Sequence, residues 1–147
     1  MYKTALNEDE LVKLLTGVTY TALARRLLKN FKKAGLQITI EQWAILDVLW
    51  RADGLTQQEL ASQSFRDKPS ITRLIDNLEK LNLVVRIPDK FDKRVNRIFL
   101  THKGQILQNK TKQQAEKTMD EALVNITPDQ LALCNQVLTT IFKNLAE

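Results

Sequence analysis

Asp92 and Arg94 stand two residues apart in the run Asp92-Lys93-Arg94-Val95-Asn96-Arg97-Ile98-Phe99-Leu100-Thr101, which puts a carboxylate beside a guanidinium at the tip of a charged loop. That pairing suits the holding of an anion, because a guanidinium offers a planar fork of donors and a neighbouring acid can fix its direction. The surrounding charge points the same way. Residues 66–103 hold ten Lys and Arg (66, 68, 73, 80, 86, 90, 93, 94, 97, 103) against five Asp and Glu (67, 76, 79, 89, 92). The other residues hold twelve of each sign, so the whole net charge of +5 sits in this one segment. Neutralising nucleic-acid phosphates requires such a localised positive field. A solvated face carrying lysine for solubility gives no reason for the concentration. Bond-making chemistry finds no support: one His (His102) and one Cys (Cys134), far apart in sequence, supply neither a nucleophile with its base nor a metal cluster. No catalytic residue, metal or cofactor is expected.

At 147 residues and 44% hydrophobic content the chain can bury one core, and it is read as a single domain over 1–147. Four Gly, three Pro and no low-complexity tract leave no linker between domains. No apolar run approaches the ~20 residues of a membrane span, and Met1-Tyr2-Lys3 leads into no signal-peptide core, so a cytoplasmic protein with no membrane partner is expected. A lone Cys excludes a disulfide framework within the chain.

The elements that must position the charged loop are legible from their ends. Thr39 with Gln42, Thr56 with Glu59 and Thr127 with Gln130 are capping boxes, in which threonine and the acid or amide satisfy each other's orphan backbone donors. Pro128 follows the last at the first helical position, where a missing N–H is harmless. Asn7 with Glu10 is a weaker version. The first helix is predicted over about 8–33, with Leu11, Leu14, Leu15, Val18, Ala22, Leu28 and Phe31 on one face and Gly35 as its end. A short helix over 41–51 follows, stopped by Asp53-Gly54. Residues 57–64 and 67–81 form a helix-turn-helix. The second helix turns Ile71, Leu74, Ile75, Leu78 and Leu81 inward and leaves Ser70, Thr72, Arg73, Asn77 and Lys80 on its other sides. Asn82 ends it in the left-handed conformation, which Asn tolerates less well than Gly.

Runs 83–87 and 97–100 are β-prone, and the nine residues between them, 88–96, make a hairpin with a long charged loop. A polar helix to about 125 and an apolar one over about 129–145 complete the chain. The predicted fold is mainly α with a small β-hairpin wing: a winged helix-turn-helix over about 39–101, flanked by dimerisation helices over about 8–33 and 102–147. The terminal helices carry more apolar surface than a compact domain can cover, so the expected use is burial against a second copy of the chain.

In these motifs the chain resembles the MarR family of bacterial transcription regulators, essentially from its first helix to Glu147. Leu55-Thr56-Gln57-Gln58-Glu59-Leu60-Ala61 looks like the family's helix-turn-helix entry, and the stretch from Asp67 to Glu79 like its recognition helix. Asp92-x-Arg94, Leu100-Thr101 and Gly104 follow in the family's order. The resemblance implies a homodimer on a pseudopalindromic operator in double-stranded DNA, acting as a repressor. It implies that Ser70, Thr72 and Arg73 enter the major groove, that Lys68 meets phosphate, and that Arg94 reaches into the flanking minor groove. Asp92 would orient that arginine or pair with Arg86 or Arg97, and Lys90 and Lys93 would add backbone affinity. A plain loop acid is the bland reading of Asp92. Two positions depart from the pattern: Asn82 stands where the family usually has Gly, and Cys134 lies in the last helix, whereas peroxide-sensing relatives keep their cysteine in the first.

Family members often release DNA when a small aromatic anion or other amphiphile lodges between the dimer helices and the winged domain. Tyr20, Trp43 and Trp50 could line such a cleft, although aromatics at helical spacing are more often core, and core is the reading favoured for them. Cys134 reads as a buried small hydrophobe and His102 as a phosphate-proximal or solvent residue. The alternative function is a winged-helix protein-interaction module, since the fold does not dictate its partner. It predicts a neutral or apolar face where a basic one is expected here.

Overall fold

The computed structural model describes residues 13–64 and 68–146. A π-helical turn, Leu14–Val18, leads into α1 (Thr19–Lys33), followed by α2 (Ile40–Arg51), β1 (Leu55–Thr56), α3 (Gln57–Ser64), α4 (Lys68–Lys80), β2 (Val84–Pro88), β3 (Asn96–Leu100), α5 (His102–Ala122) and α6 (Pro128–Leu145). Asn7, Glu10, Leu11, Arg66 and Asp67, singled out in the sequence, lie outside the described residues.

The caps form as their spacing predicts. Thr39 and Gln42 exchange side-chain and backbone hydrogen bonds at the start of α2, Thr56 and Glu59 do so at α3, and Thr127 and Gln130 at α6. Thr101 caps α5 by accepting the N–H of Gly104. Asn82 leaves α4 at φ 59°, and the N–H groups of Asn82 and Leu83 return to the carbonyls of Glu79 and Leu78. This is the paired closure of a left-handed helix exit, here with buried apolar residues, Leu78 and Leu83, at both ends of its longer bond.

The core gathers Leu27 and Phe31 of α1, Ile45, Leu46 and Leu49 of α2, Leu60 of α3 and Ile71, Leu74, Ile75 and Leu78 of α4 around the sheet residues Val84 and Ile98. Phe31 meets Trp43 edge-to-face at 5.9 Å. A buried polar bond, Asn30 Nδ2 to Thr118 Oγ1 at 2.8 Å, and the Arg26–Glu121 ion pair tie α1 to α5.

Several expectations are corrected. The hairpin gains a third strand, in the antiparallel order β1-β3-β2, because Leu55 and Thr56 pair with Ile98 and Arg97. Pro88 pairs with Asn96, which shortens the connecting loop to residues 89–95. Leu81 is exposed, because α4 stops at Lys80 and the exit turn carries Leu81 off the core stripe. The face of α1 that packs on its own chain is Leu27, Asn30 and Phe31; Leu15, Val18 and Leu28 are exposed, and the helix is interrupted where Gly17 leaves helical geometry. Helix α5 ends at Ala122, short of the expected 125. Helix α6 buries no residue on this chain, so Cys134, expected inside, is exposed here. Among the described residues no helix is long and apolar enough to cross a membrane.

The close seam of the fold is Gly104, where a Cβ would overlap the backbone carbonyl oxygen of Leu83. That oxygen accepts the N–H of Thr101, and the Gly104 carbonyl accepts the indole N–H of Trp50, both at 3.0 Å. Backbone on both sides leaves little room to yield. Gly104→Ala is expected to cost about 1–3 kcal/mol, the usual range for overpacking. Asn82→Gly, which only relieves a left-handed side chain, should change stability by less than about 1 kcal/mol. Denaturant titration of the two variants checks the contrast.

Candidate nucleic-acid interface

The basic segment folds into α4 and the β2–β3 wing, and its geometry is set by ion pairs whose partners come from different elements. Arg86 on β2 is mostly buried and lies at the centre. Its guanidinium pairs with Asp76 at 2.6 Å and with Glu79, both on α4, and donates through Nε to Gln57 Oε1 of α3 at 3.2 Å. A longer bond at 3.4 Å reaches the Thr72 carbonyl, and Gln57 Nε2 donates to Thr72 Oγ1 at 3.2 Å. One side chain thus clamps the wing strand, the outward helix of the pair and the helix before it. A guanidinium can do this because its five donors are fixed in one plane; an ammonium cannot.

The wing loop has its own internal frame. Asp89 accepts Nε of Arg97 on one oxygen and the backbone N–H groups of Phe91 and Asp92, at 3.1 Å each, on the other. The Arg97 hydrogen bond, then those backbone donors, hold the Asp89 carboxyl below its usual value of 3.8. Because the folded value is the lower one, this contribution to wing stability is complete above the ordinary carboxylate range and is lost only as acidification passes down through it. Arg97 also donates to the Gly54 carbonyl at 3.0 Å, tying the loop root to the turn before β1. At the tip, Asp92 Oδ1 accepts both the backbone N–H (3.1 Å) and Nε (3.2 Å) of Arg94, whose side chain is 92% exposed. Of the partners open to Asp92 in the sequence, it takes Arg94 and neither Arg86 nor Arg97.

The consequence is electrostatic. Every described acid of the segment, Asp76, Glu79, Asp89 and Asp92, is engaged by an arginine of the same segment. Arg73, Lys80, Lys90 and Lys93 are exposed and form no ion pair among the described residues. Between α4 and the wing lies a groove of about 530 Å³, with Gln57, Gln58 and Thr72 on one side and Arg94, Val95 and Asn96 on the other. Its walls carry amide, hydroxyl and guanidinium groups, the last from Arg94. The arrangement can grip a polyanion and offer hydrogen bonds to what the polyanion displays.

Of the DNA-contacting residues proposed from sequence, Thr72 and Arg94 line this groove, and the others lie on the same two elements, α4 and the wing. Ser70 is half-buried on α4, Thr72 and Arg73 are exposed on it, and Lys90, Asp92, Lys93 and Arg94 crown the wing. The side chain of Lys68 lies outside what is described. Trp43 and Trp50 share a separate cleft of about 360 Å³ between α2 and α5, with Thr111 and Met119. Tyr20 is exposed and takes no part in that cleft, which corrects its place beside the two tryptophans. His102 is exposed at the start of α5. Sequence reasoning missed Arg86 and Gln57, whose partners lie on other elements and follow no periodicity, and Phe91, which is 97% exposed in the wing loop.

Comparison with known proteins agrees with this geometry. The MarR family model matches residues 38–95. The HTH-type transcriptional regulator TtmR of Methylorubrum extorquens (strain PA1) is 39% identical over 74 residues, half of this chain, and the match spans only 38% of that protein's length. The crystal structure of transcriptional regulator PA3341 is similar at 33% identity and a TM-score of 0.74, over 90% of this chain and 96% of that one. A MarR transcriptional regulator from Methanosarcina mazei Go1 is similar at 26% identity and a TM-score of 0.80, over 95% and 92%.

The pairing of Arg86 makes a prediction that separates scaffolding from phosphate binding. Arg86→Lys keeps the charge but loses the fork, so it should cost about 1.5–3 kcal/mol of stability, the scale of hydrogen bonds to charged groups. Affinity for a specific DNA duplex should fall, while the slope of log affinity against log salt stays at the wild-type value, because Arg86 is neutralised within the protein. A salt slope shallower by about one would mean that Arg86 touches phosphate instead.

Proposed function

The chain belongs to the MarR family of winged helix-turn-helix transcription regulators, a family of DNA-binding proteins rather than enzymes, and we propose that it acts as a homodimeric repressor on a pseudopalindromic operator. In this reading residues 1–147 form one unit, with the winged helix-turn-helix over about 39–101 and the terminal helices as the dimer seam. The observation that carries it is the groove between α4 and the wing, lined by Thr72 and Arg94, on a segment whose described acids are all engaged by its own arginines while Arg73, Lys80, Lys90 and Lys93 stay exposed.

Dimerisation is supported by what the chain leaves uncovered. Leu131, Leu133, Val137, Leu138, Phe142 and Leu145 on α6 are all exposed. A groove of about 730 Å³ between α1 and the end of α5 is lined by Ala22, Leu23, Met119, Leu123 and Ile126, among others. Fully burying each large apolar side chain is worth about 1.5–3 kcal/mol. Six of them set against a partner therefore supply on the order of 10 kcal/mol, comparable with the roughly 4–15 kcal/mol that association costs. Two copies joined this way put their α4 helices about 34–36 Å apart, one DNA turn.

On DNA, Ser70, Thr72 and Arg73 face base edges in the major groove, with Arg73 able to fork onto a guanine. Lys68, Lys90 and Lys93 hold phosphates, and Arg94, steered by Asp92, enters the adjacent minor groove. The cleft of Trp43 and Trp50 lies where the winged domain meets α5, so a small aromatic or amphiphilic ligand seated there would shift α2 against the dimer helices and release DNA. The cytoplasm is where such a regulator works.

Sequence reading and backbone affinity separate by mutation. Arg73→Ala should cost about 1–3 kcal/mol on the operator and relax preference at one base pair per half-site. Lys68→Ala should weaken all sequences alike with a shallower salt slope. Arg94→Ala should weaken binding most on operators with A·T-rich flanks, and Arg94→Lys should recover only part, because ammonium is the more strongly hydrated cation. Titrations at fixed salt on duplexes that differ only at one contacted base pair or only in their flanks check the two arginine outcomes, and a salt series on operator and random DNA checks Lys68→Ala. Equal losses on specific and random DNA for Arg73→Ala would remove α4 from its reading role.

A further inference from the structure

Phe91 is the most exposed large hydrophobic side chain of the described residues, at 97%, and it sits in the wing loop between β2 and β3. Among the described residues no ring contact involves it. Its backbone, however, is held: the N–H groups of Phe91 and Asp92 both donate to Asp89 Oδ2, Asp89 N–H donates to the Val95 carbonyl at 2.8 Å, and Val95 N–H to the Asp92 carbonyl at 3.0 Å. The Arg97 guanidinium anchors the same Asp89 from the other side. The loop therefore presents the ring from a closed, hydrogen-bonded frame, so the entropy of ordering it is already met in the free protein. The ring is flanked in sequence by Lys90 and Asp92; Asp92 is engaged by Arg94, and Lys90, Lys93 and Arg94 are exposed.

An apolar ring among cations fits a partner that is polyanionic outside and apolar within a few ångströms of its charges. A membrane surface or an acidic protein could meet the cations. Only a nucleic acid offers alternating phosphates with sugar and base faces between them, at the place where Arg94 already faces the groove beside α4. Resting on the operator reading above, we infer that Phe91 is a wedge: it enters the minor groove beside Arg94, packs on a sugar and a base edge, and partly unstacks one base step in each operator flank. Apolar side chains inserted in this way open a step and kink the duplex, and flexible pyrimidine–purine steps yield most easily. The wing would then read two properties of the flank, groove width through Arg94 and step flexibility through Phe91.

The test uses the full-length protein and a duplex that the wild type selects from a random pool, with 2-aminopurine replacing adenines of each flank in turn. Binding of the wild type should raise 2-aminopurine fluorescence at one flanking step per half-site. Phe91→Ala should abolish the rise and weaken binding by about ten-fold, within the range of base–aromatic stacking, with the salt slope unchanged. Phe91→Leu should recover part of both. Lys93→Ala is the contrasting variant: it should make the salt slope shallower and leave the fluorescence rise intact. Wild-type affinity and an undiminished signal in Phe91→Ala, or no rise at any flanking position with the wild type bound, would overturn the wedge while leaving operator recognition standing. A wild type that selects no sequence from the pool would overturn the operator reading itself. Because the ring is almost wholly exposed, Phe91→Ala should fold with the wild-type melting curve, so a loss of binding cannot be put down to unfolding.

Discussion

The arrangement of the whole interface depends on one buried guanidinium. Arg86 joins β2 to Asp76 and Glu79 of α4 and to Gln57 of α3, so the helix that faces the groove and the wing that borders it behave as one body. Without it the links from the wing to α4 would include the exit turn at Asn82, the apolar contacts beneath and the backbone N–H of Arg86 on Glu79, but among the described residues no ion pair between them would remain. The cluster is also a charge device. Together with Arg97 on Asp89 and Arg94 on Asp92, it consumes the acids that would otherwise repel phosphate, and it leaves Arg73, Lys80, Lys90 and Lys93 facing outward. The net excess of five positive charges in the sequence is thus carried by exposed cations while the described acids of the segment are ion-paired. Fields of that kind steer a polyanion from a distance and fall off within a Debye length, about 8 Å at physiological salt.

Two kinds of surface are thus left open, and they differ in kind. The face of α4 and the wing is polar and cationic, framed by hydrogen bonds that fix its side chains. The surface of α6 and the outer side of α1 carry exposed apolar side chains, and α6 buries no residue among those described. Between them, α5 is the strut: Gly104 lets its first turn press on Leu83 at the root of the wing, and Thr118 and Glu121 near its far end bind α1.

Much of this was legible in the sequence, for reasons that differ by element. The helix starts were legible because a capping box is a local interaction, complete within four residues; Thr39, Thr56 and Thr127 each behave as their spacing predicts. The core stripe of α4 and the left-handed Asn82 were legible for the same reason. The third strand was not, since Leu55 and Thr56 are too few for any period and pair with β3 across forty or more intervening residues. The wrong choice of Leu28 over Leu27 in α1 reflects a helix with apolar groups on two sides, for which periodicity cannot say which side its own chain uses. Cys134 was expected inside because an apolar stripe implies a partner but does not say whether that partner is the same molecule. Arg86 and Gln57 escaped notice because a hub among three elements leaves no mark in sequence, whereas the Asp92–Arg94 pair, two residues apart, was visible at once.

The central claim is that α4 and the wing engage DNA as one rigid unit, twice, across a two-fold axis. Hydroxyl-radical and dimethyl-sulfate footprinting on the DNA upstream of the protein's own gene tests it most directly, because the two reagents report the sugar backbone from the minor groove and guanine N7 in the major groove. The account predicts two symmetry-related patches of major-groove protection centred about one helical turn apart, roughly 34–36 Å, each flanked on its outer side by minor-groove protection. The flanking protection should vanish in Arg94→Ala while the inner patches remain. A single asymmetric footprint, or inner and outer protections whose spacing varies from site to site, would contradict it.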